Sequence, residues 1–408
     1  MQIIVNAAEV VTCAGFSDRP ARGADQGTLS VIKNGAVVLE HGKIVAVGPE
    51  GELRRKYATP DVESIDAGGG VVLPGFVDAH THLLFAGDRS SEWEQRMQGR
   101  DYLEILRAGG GIQSTVQATR QATEADLLAH GRLWLERMLA LGTTTVEIKS
   151  GYGLDRETEL RLLRIARQLG AEAPQTIATT YLGGHIVPPE FADDRQGYLE
   201  LVMEVAAEVR HANLADYFDV FCESEAFDIN ETRELLEGAK ALGYGLKLHA
   251  GQFNELGGPA MAGELGAVSV DHLDHIDDAG LAALADSGAI GTLLPGVTFH
   301  LGHDQYADGR RIIDAGVPVA LATDFNPGSS FSPSMPMMIA LATRHLGMTV
   351  AEAIVASTIN GAHALGLANE VGSLEPGKKG DVIICHFPDH KWLGYGFGWN
   401  PVKEVISS

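Results

Sequence analysis

Cysteine, basic residues and long apolar runs are all scarce in this sequence of 408 residues. Its cysteines, Cys13, Cys222 and Cys385, are too few and too widely spaced for a disulfide framework or a thiolate metal cluster. Unpaired thiols are typical of a reducing compartment, so we expect a cytoplasmic protein. No apolar run approaches the roughly 18 residues of a membrane-spanning helix, and the first residues lack the basic start of a secretion signal.

The shortage of basic residues also excludes classes of partner. Lys and Arg total 31 against 54 Asp and Glu, so the formal net charge at pH 7 is −23. A negative field of this size repels phosphate backbones and anionic lipids, and we therefore expect neither nucleic acid nor a membrane as a partner. Homodimers are the commonest assemblies of soluble proteins, so a homodimer is the default expectation, although no segment identifies an interface.

Eight apolar, β-rich runs alternate with helical segments along the middle of the chain. Apolar residues at three- and four-residue spacing mark the helices, most clearly over 124–141, 157–170 and 231–243. Eight strand–helix units in about 250 residues fit an α/β fold of the distorted (β/α)₈ TIM-barrel type, although a doubly wound sheet has the same local pattern. The runs span residues 71–78, 143–149, 175–182, 217–223, 244–250, 267–272, 289–295 and 317–324.

The two ends of the chain have a different pattern. Residues 1–70 contain short strands separated by turns, with apolar residues alternating through 31–48, and short strands return over 371–387. We predict that residues 1–70 and 365–408 together form a smaller β-sandwich domain. The barrel domain would then comprise residues 71–364.

Side chains of the kind that bind metals stand at the ends of several predicted strands. His80 and His82 follow the first strand, and residues two apart in an extended chain point to the same side. His249, His272 and Asp324 close the fifth, sixth and eighth strands. Barrel active sites lie at the carboxyl ends of the strands, where imidazoles and a carboxylate suit Zn²⁺ and also accept Fe or Mn. The alternative, buried polar residues bonded to the backbone, would require all five to occupy strand ends by coincidence.

These residues belong to longer segments that resemble a known family. LPGFVDAHTH (73–82), TDFNPGSS (323–330) and GSLEPGKKGDVII (372–384) resemble the amidohydrolase superfamily. Within that superfamily, the sequence resembles the imidazolonepropionase family more closely. This closer resemblance implies hydrolysis of 4-imidazolone-5-propanoate to N-formimidoyl-L-glutamate in histidine degradation, by cleavage of a C–N bond of a cyclic amide. It covers nearly the whole chain, and the segments similar to the imidazolonepropionase family within that superfamily are 80–93, 102–112, 147–154, 181–190 and 293–302.

The resemblance also implies a metal set and a substrate pocket. One Zn²⁺ or Fe³⁺ ion would be held by His80, His82, His249 and Asp324. A substrate carboxylate would be gripped by the guanidinium of Arg89, for which the simpler alternative is a salt bridge to a neighbouring glutamate. The substrate contacts that the resemblance implies are Arg89, Tyr152, His185, Gln252, Asn326, Gly328 and Ser329.

Three of these side chains are candidates for catalytic roles. Asp324 is the candidate general base that takes a proton from the attacking water. His272 is either a further metal ligand or, as we favour, a neighbour that hydrogen-bonds hydroxide or the developing oxyanion. His185 is expected to donate to the carbonyl oxygen in the transition state, the alternative being a core histidine bonded to a backbone carbonyl.

Two further residues separate the candidate reactions. Gln252 cannot accept and return a proton as the glutamate of related ring deaminases does, which argues against a deaminase. Lys149 lies on the second strand, whereas the carboxylated lysine that bridges two metals in other amidohydrolases belongs on the fourth, where Glu223 stands, so we expect a mononuclear site. The remaining alternatives are another cyclic-amide amidohydrolase and a non-catalytic binding protein, and the latter typically lacks part of the metal set.

Overall fold

The computed structural model describes residues 1–100 and 110–407, so most of the 102–112 segment used for the resemblance lies outside the described residues. Strands from both ends of the chain form two sheets. Their bounds are Gln2–Val5 (β1), Glu9–Val11 (β2), Val31–Lys33 (β3), Gly35–Glu40 (β4), Lys43–Pro49 (β5), Glu63–Asp66 (β6), Val71–Pro74 (β7), Val382–Cys385 (β16) and Val402–Ile406 (β17). One sheet has the order β5-β4-β1-β6 and the other β17-β16-β7-β2-β3.

The five-stranded sheet lies between the four-stranded sheet and the rest of the molecule. On β7, Val72 packs into the core shared by the two sheets, whereas Val71 and Leu73 pack into the large central core. The same alternation divides β16, where Val382 and Ile384 face the small core. Both faces of this sheet are therefore buried, which explains why its central strands are continuous apolar runs.

The barrel predicted from the sequence is confirmed. Eight parallel strands pair in chain order, which excludes the doubly wound alternative. The strands are Phe76–Asp78 (β8), Thr143–Lys149 (β9), Thr176–Gly184 (β10), Tyr217–Cys222 (β11), Gly245–Ala250 (β12), Ser269–His272 (β13), Ile290–Leu293 (β14) and Val319–Leu321 (β15).

The barrel closes differently between its first and last strands. Among the described residues, no ladder of strand pairs joins β8 to β15. The segments that follow these strands meet instead through backbone hydrogen bonds, from His82 N to Phe325 O at 3.0 Å and from Asp324 N to His80 O at 3.0 Å. Thr81 and Phe325 form a single parallel bridge. This seam lies where the predicted metal ligands stand.

Helices surround the barrel, and the three predicted from periodicity are present. Each of those three begins at a capping side chain, Thr123, Asp155 or Asp228, that accepts a hydrogen bond from the first turn. None of the helices in residues 1–100 and 110–407 is long and apolar enough to cross a membrane. The α-helices span Glu50–Tyr57, Ser90–Met97, Ile112–Gln121, Glu124–Ala140, Arg156–Glu172, Arg195–His211, Ile229–Ala241, Gly258–Leu265, Asp278–Ser287, Pro295–Leu301, Gly309–Asp314, Met335–His345, Val350–Ala356, Ile359–Ala364 and Trp392–Tyr395.

The single strand predicted over 71–78 is two strands in the structure. Residues 71–74 pair with the terminal sheet and residues 76–78 with the barrel, and the chain passes from one to the other at Gly75. Both halves are fully buried, so their hydrophobicity alone cannot separate them. The division of domains at residues 70 and 365 stays a prediction, and β7 belongs by its pairing to the terminal strands.

Gly75 is required by this crossing. A Cβ atom at residue 75 would lie 2.0 Å from Thr144 Oγ1, so we expect Gly75→Ala to lower the free energy of unfolding by about 1–3 kcal/mol through overpacking. Urea unfolding measures the loss. Gly51→Ala is the control, because the nearest atom to its Cβ is Arg55 Nη1 at 3.9 Å. Equal stability of the two variants would contradict the prediction.

Candidate metal centre and active site

Four side chains predicted as metal ligands converge at the carboxyl end of the barrel. The Nε2 atom of His82 lies 3.3 Å from Nε2 of His80 and 3.4 Å from Nε2 of His249. Asp324 Oδ1 lies 3.4 Å from His80 Nε2 and 3.3 Å from His82 Nε2. All four residues are buried. Strands on opposite sides of the seam therefore deliver their ligand atoms to one point.

Carboxylates inside the barrel fix the orientation of two of these imidazoles. His80 Nδ1 lies 2.6 Å from Asp271 Oδ2, and His249 Nδ1 lies 3.0 Å from Asp219 Oδ2. The His80 contact is a hydrogen bond, whereas His249 Nδ1 lies within ion-pair distance of Asp219 without hydrogen-bond geometry. A carboxylate only accepts, so when either ring binds a metal through Nε2, its Nδ1 carries the proton. Metal-binding histidines in proteins are held in this way.

The centre fits a metal ion on its own geometry. Asp324 Oδ1 is a buried oxygen with no hydrogen-bond partner among the described residues, although it lies within 3.4 Å of two imidazole nitrogens. Burial and the Lys149 ammonium disfavour the charged form of His80, but Asp271 and Asp324 outweigh them and raise the His80 pKa to about 9. The centre therefore attracts positive charge, and a cation at this point satisfies the converging atoms.

His272 stands beside this group in a strained conformation. Its φ of 83° lies in the left-handed region, which is uncommon for a residue other than glycine. Its ring centroid is 5.4 Å from that of His249, and one of its nitrogens lies within 4.8 Å of ligand atoms of His80 and Asp324. Burial lowers the His272 pKa to about 4, so the ring is neutral at pH 7. His272 is therefore close enough to these residues for either expected role, as a metal ligand or as a neighbour of the ligands.

Arg89 forms the salt bridge predicted by the simpler interpretation, and its terminal nitrogens make no further ion pair with residues 1–100 or 110–407. Its Nε donates to Glu92 Oε2 at 2.8 Å, and Glu92 also accepts from Gly111 N and Ser114 Oγ. The Nη1 atom faces Gly328, where an added Cβ would lie 2.2 Å from it. Glu92 thus aims the guanidinium, and the absence of a side chain at Gly328 leaves room for it.

Tyr152 and His185 line the centre next to His82. The His185 ring stacks on the His82 ring with 5.1 Å between centroids, and the Tyr152 ring is 5.8 Å from that of His82. Nδ1 of His185 lies 3.0 Å from Gly151 O, which can only accept. Burial and His82 lower the His185 pKa to about 3. The ring is therefore neutral with its proton on Nδ1, and Nε2 is an acceptor, contrary to the donor role expected from the sequence.

Gln252 lies on the loop after β12, and Glu223 holds that loop. One carboxylate oxygen of Glu223 accepts from Phe253 N at 3.0 Å and Asn254 N at 3.2 Å, and the other accepts from Asn254 Nδ2 at 2.8 Å. Gln252 lines a cavity of about 410 Å³. Glu223 therefore anchors the residues immediately after Gln252.

Asn326 organises its own loop. Its Oδ1 accepts from Gly328 N at 2.8 Å and Ser329 N at 2.7 Å, while its Nδ2 donates to Asp324 O at 2.7 Å and to Ser329 Oγ at 2.9 Å. Both polar groups of its side chain are thus engaged within residues 324–329, and its backbone N donates to Ser330 O at 3.0 Å. Gly328 and Ser329 are partly exposed at the mouth of the barrel.

Sequence reasoning missed the carboxylates that support the histidines, Asp219 and Asp271. The available signal was a charged residue inside an otherwise apolar barrel strand. Lys149 was noticed only for its resemblance to a bridging lysine, and its Nζ lies 2.7 Å from Asp219 Oδ2 and 3.0 Å from Glu147 Oε2. Burial opposes its charge, but these carboxylates outweigh burial and raise the Lys149 pKa, so it is an ammonium group.

The metal content of two variants distinguishes His249 from His272 as the third histidine ligand. We expect His249→Ala to lose stoichiometric Zn²⁺, because it removes an Nε2 atom from the group formed with His80 and His82. We expect His272→Ala to retain the ion. Inductively coupled plasma mass spectrometry of dialysed protein measures both, and loss of metal in His272→Ala would make that residue a ligand.

Comparison with known proteins agrees with this arrangement. Residues 71–406 match the model of the amidohydrolase family, and residues 35–59 match the imidazolonepropionase-like composite domain of bacteria. The imidazolonepropionase of Geobacillus kaustophilus is 48% identical, over 98% of this chain and 95% of its own. That of Symbiobacterium thermophilum is 47% identical, over 99% of this chain and 95% of its own.

Solved structures add the fold. Guanine deaminase from E. coli aligns with a TM-score of 0.69 at 14% identity, over 100% of this chain and 98% of its own. An adenosine deaminase from Xanthomonas campestris with bound zinc aligns with a TM-score of 0.68 at 20% identity, over 100% of this chain and 91% of its own. Identities this low show a shared fold alone. The family match and the full-length relatives establish that the chain belongs to the imidazolonepropionases of the amidohydrolase family.

Proposed function

We propose that this chain hydrolyses 4-imidazolone-5-propanoate to N-formimidoyl-L-glutamate, a step of histidine degradation. The observation that carries the proposal is identity of 48% to a relative named imidazolonepropionase, over 98% of the chain. Water adds to the ring carbonyl carbon, the C–N bond to the ring nitrogen breaks, and that nitrogen receives a proton. The complete group of three histidines and an aspartate argues against a non-catalytic binding protein.

The proposal includes one metal ion, Zn²⁺ or Fe³⁺, held by His80, His82, His249 and Asp324. When bound, such an ion polarises the carbonyl and lowers the pKa of a water molecule toward about 7. The chain contributes the orientation of the ligands, since Asp271 and Asp219 hold the outer nitrogens of His80 and His249. It also excludes bulk water, because all four side chains are buried.

Two residues are proposed to handle the proton. Asp324 takes it from the attacking water and passes it to the leaving nitrogen. Burial opposes the Asp324 carboxylate, but His80 and His82 outweigh burial and hold its pKa well below the usual range, so the carboxylate is ionised. His272, neutral and beside the ligands, hydrogen-bonds the attacking water or the developing oxyanion.

Recognition of the propanoate carboxylate is proposed for Arg89 and Tyr152. The Nε of Arg89 is occupied by Glu92, so the two terminal nitrogens form the edge that meets the carboxylate. Burial raises the pKa of Tyr152, which keeps its hydroxyl protonated as a donor. Ser329 and the backbone at Gly328 complete this side of the pocket, and Asn326 keeps them in place.

Recognition of the ring is proposed for His185 and Gln252. His185 accepts a hydrogen bond from a ring N–H through Nε2, since its Nδ1 proton is directed to Gly151. Gln252 offers an amide donor and acceptor to the cyclic amide. The fold neighbours that deaminate rings share the barrel, but an amide at residue 252 cannot shuttle a proton as a carboxylate does.

The setting proposed for this reaction is cytoplasmic, with a small carboxylate-bearing substrate and a homodimeric assembly. All three cysteines are buried as free thiols, which supports a reducing compartment.

The direct test follows freshly generated 4-imidazolone-5-propanoate by its ultraviolet absorbance. We expect its loss with the appearance of N-formimidoylglutamate, abolition of turnover by chelation, and recovery on adding Zn²⁺ or Fe³⁺. No turnover by fully metallated protein would contradict the proposed substrate.

The Arg89→Ala variant tests the proposed role of Arg89 in binding the substrate carboxylate. We expect Arg89→Ala to raise KM by about 10–100-fold with unchanged metal content, since charged hydrogen bonds contribute about 1.5–3 kcal/mol. Steady-state kinetics and metal analysis measure both quantities. Arg96→Ala is the control, because the Arg96 guanidinium donates to Leu301 O. An unchanged KM in Arg89→Ala would remove Arg89 from the pocket.

The Asp324→Asn variant tests the proposed role of Asp324 as the general base. We expect Asp324→Asn, loaded with excess metal, to lower kcat by about 10²–10⁴-fold, the usual contribution of a general base. Metal content is measured on the same sample so that turnover is compared per bound ion. A kcat within a few-fold of the native value would exclude Asp324 as the base.

A further inference from the structure

Charged side chains fill the interior of the barrel directly beneath the histidines. None of them reaches solvent, and they come from four of the barrel strands, β9, β11, β12 and β13. Charges withdrawn from water are costly unless each is paired, so a group of this size is stable only as a connected network. The network consists of Glu147, Lys149, Asp219, Lys247 and Asp271.

Lys149 occupies a special place in this network. Its Nζ lies 2.7 Å from Asp219 Oδ2 and 3.5 Å from Asp271 Oδ2. The same Oδ2 atom of Asp219 lies 3.0 Å from His249 Nδ1, and the same Oδ2 atom of Asp271 lies 2.6 Å from His80 Nδ1. One ammonium group therefore joins the carboxylates that orient two imidazoles on separate strands.

We propose that Lys149 is a positioning residue for the metal centre. Its ammonium group lies between the two carboxylates and holds them beside the imidazoles, so that Nε2 of His80 and of His249 face the ion before it arrives. Without the ammonium, Asp219, Asp271 and Glu147 lose their shared partner and repel one another, and their side chains rotate apart. Such a rotation moves the carboxylate away from an imidazole Nδ1, which frees the ring to turn.

Lys247 provides a matched contrast inside the same network. It is equally buried and pairs with Glu147 Oε1 at 2.9 Å. Its Nζ also donates to the backbone oxygens Ala79 O at 3.2 Å and Ala364 O at 3.5 Å, and lies 5.5 Å from the centre of the Tyr217 ring. Within the described residues, Lys247 forms no ion pair with a carboxylate that contacts an imidazole. Loss of Lys247 therefore removes the same buried charge and leaves the supports of His80 and His249 in place.

The test compares Lys149→Met with Lys247→Met in the full-length protein. Zn²⁺ affinity is measured on metal-free protein by competition with a chromogenic chelator, without substrate. We expect Lys149→Met to bind Zn²⁺ about 10–100-fold more weakly than Lys247→Met, the usual effect of losing a partner of a ligating histidine. Circular dichroism and the Tm of both metal-free variants check that each is folded.

The outcomes separate this inference from the proposed function, on which it rests only for the presence of a cation. Equal Zn²⁺ affinity in the two variants, or native affinity in Lys149→Met, would overturn it even if the native protein hydrolyses the imidazolone. Weaker binding confined to Lys149→Met would support it even if that substrate is not turned over. Should Lys149→Met not fold, Lys149→Gln keeps a donor to the carboxylates without the charge, and the same comparison with Lys247→Gln decides.

Discussion

The central constraint on this structure is the need to compensate charge inside a barrel closed to water. Several carboxylates and two ammonium groups occupy the interior without any exposure, directly below the histidines of the centre. Such groups are stable only if each finds a partner at hydrogen-bonding distance, and the partners lie on different strands. Strand register and the rotamers of the interior side chains are therefore fixed together. Asp219 and Asp271 contact two of the imidazoles, so the same network also fixes the positions of those imidazoles.

The order extends outward in two directions. Toward solvent, Glu92, Glu223 and Asn326 each hold a loop that carries a residue proposed to contact the substrate, so the proposed pocket depends on carboxylate and amide anchors as well as on the barrel. Toward the terminal sheets, β7 is followed directly by β8, and Gly75 between them packs against Thr144, where a side chain would not fit. The five-stranded sheet thereby closes one side of the barrel with an apolar face.

The barrel and the proposed metal ligands could be predicted from the sequence. The carboxylates that contact the ligand histidines could not. Buried parallel strands are continuous apolar runs, and His80, His249 and Asp324 were identified because they interrupt those runs at strand ends. The same rule failed at residues 71–78, where two buried strands of different sheets are contiguous. Asp271 on β13 contacts His80, which follows β8, and only the folded barrel brings these distant segments together, so no local pattern in the sequence identifies Asp271. The proton of His185 depends on the carbonyl of Gly151, a contact made by folding alone.

The seam between the first and last barrel strands has a consequence for the way the molecule opens. His80 and His82 lie on one side of it and Asp324 on the other. Within the described residues, two backbone hydrogen bonds join these segments, and the buried Asp78 carboxylate accepts hydrogen bonds from Thr323 N and Thr323 Oγ1 across the same seam. A metal ion held by the proposed ligands would add a further link between the two sides, so binding of the ion would favour the closed barrel and separation of the strands would release the ion.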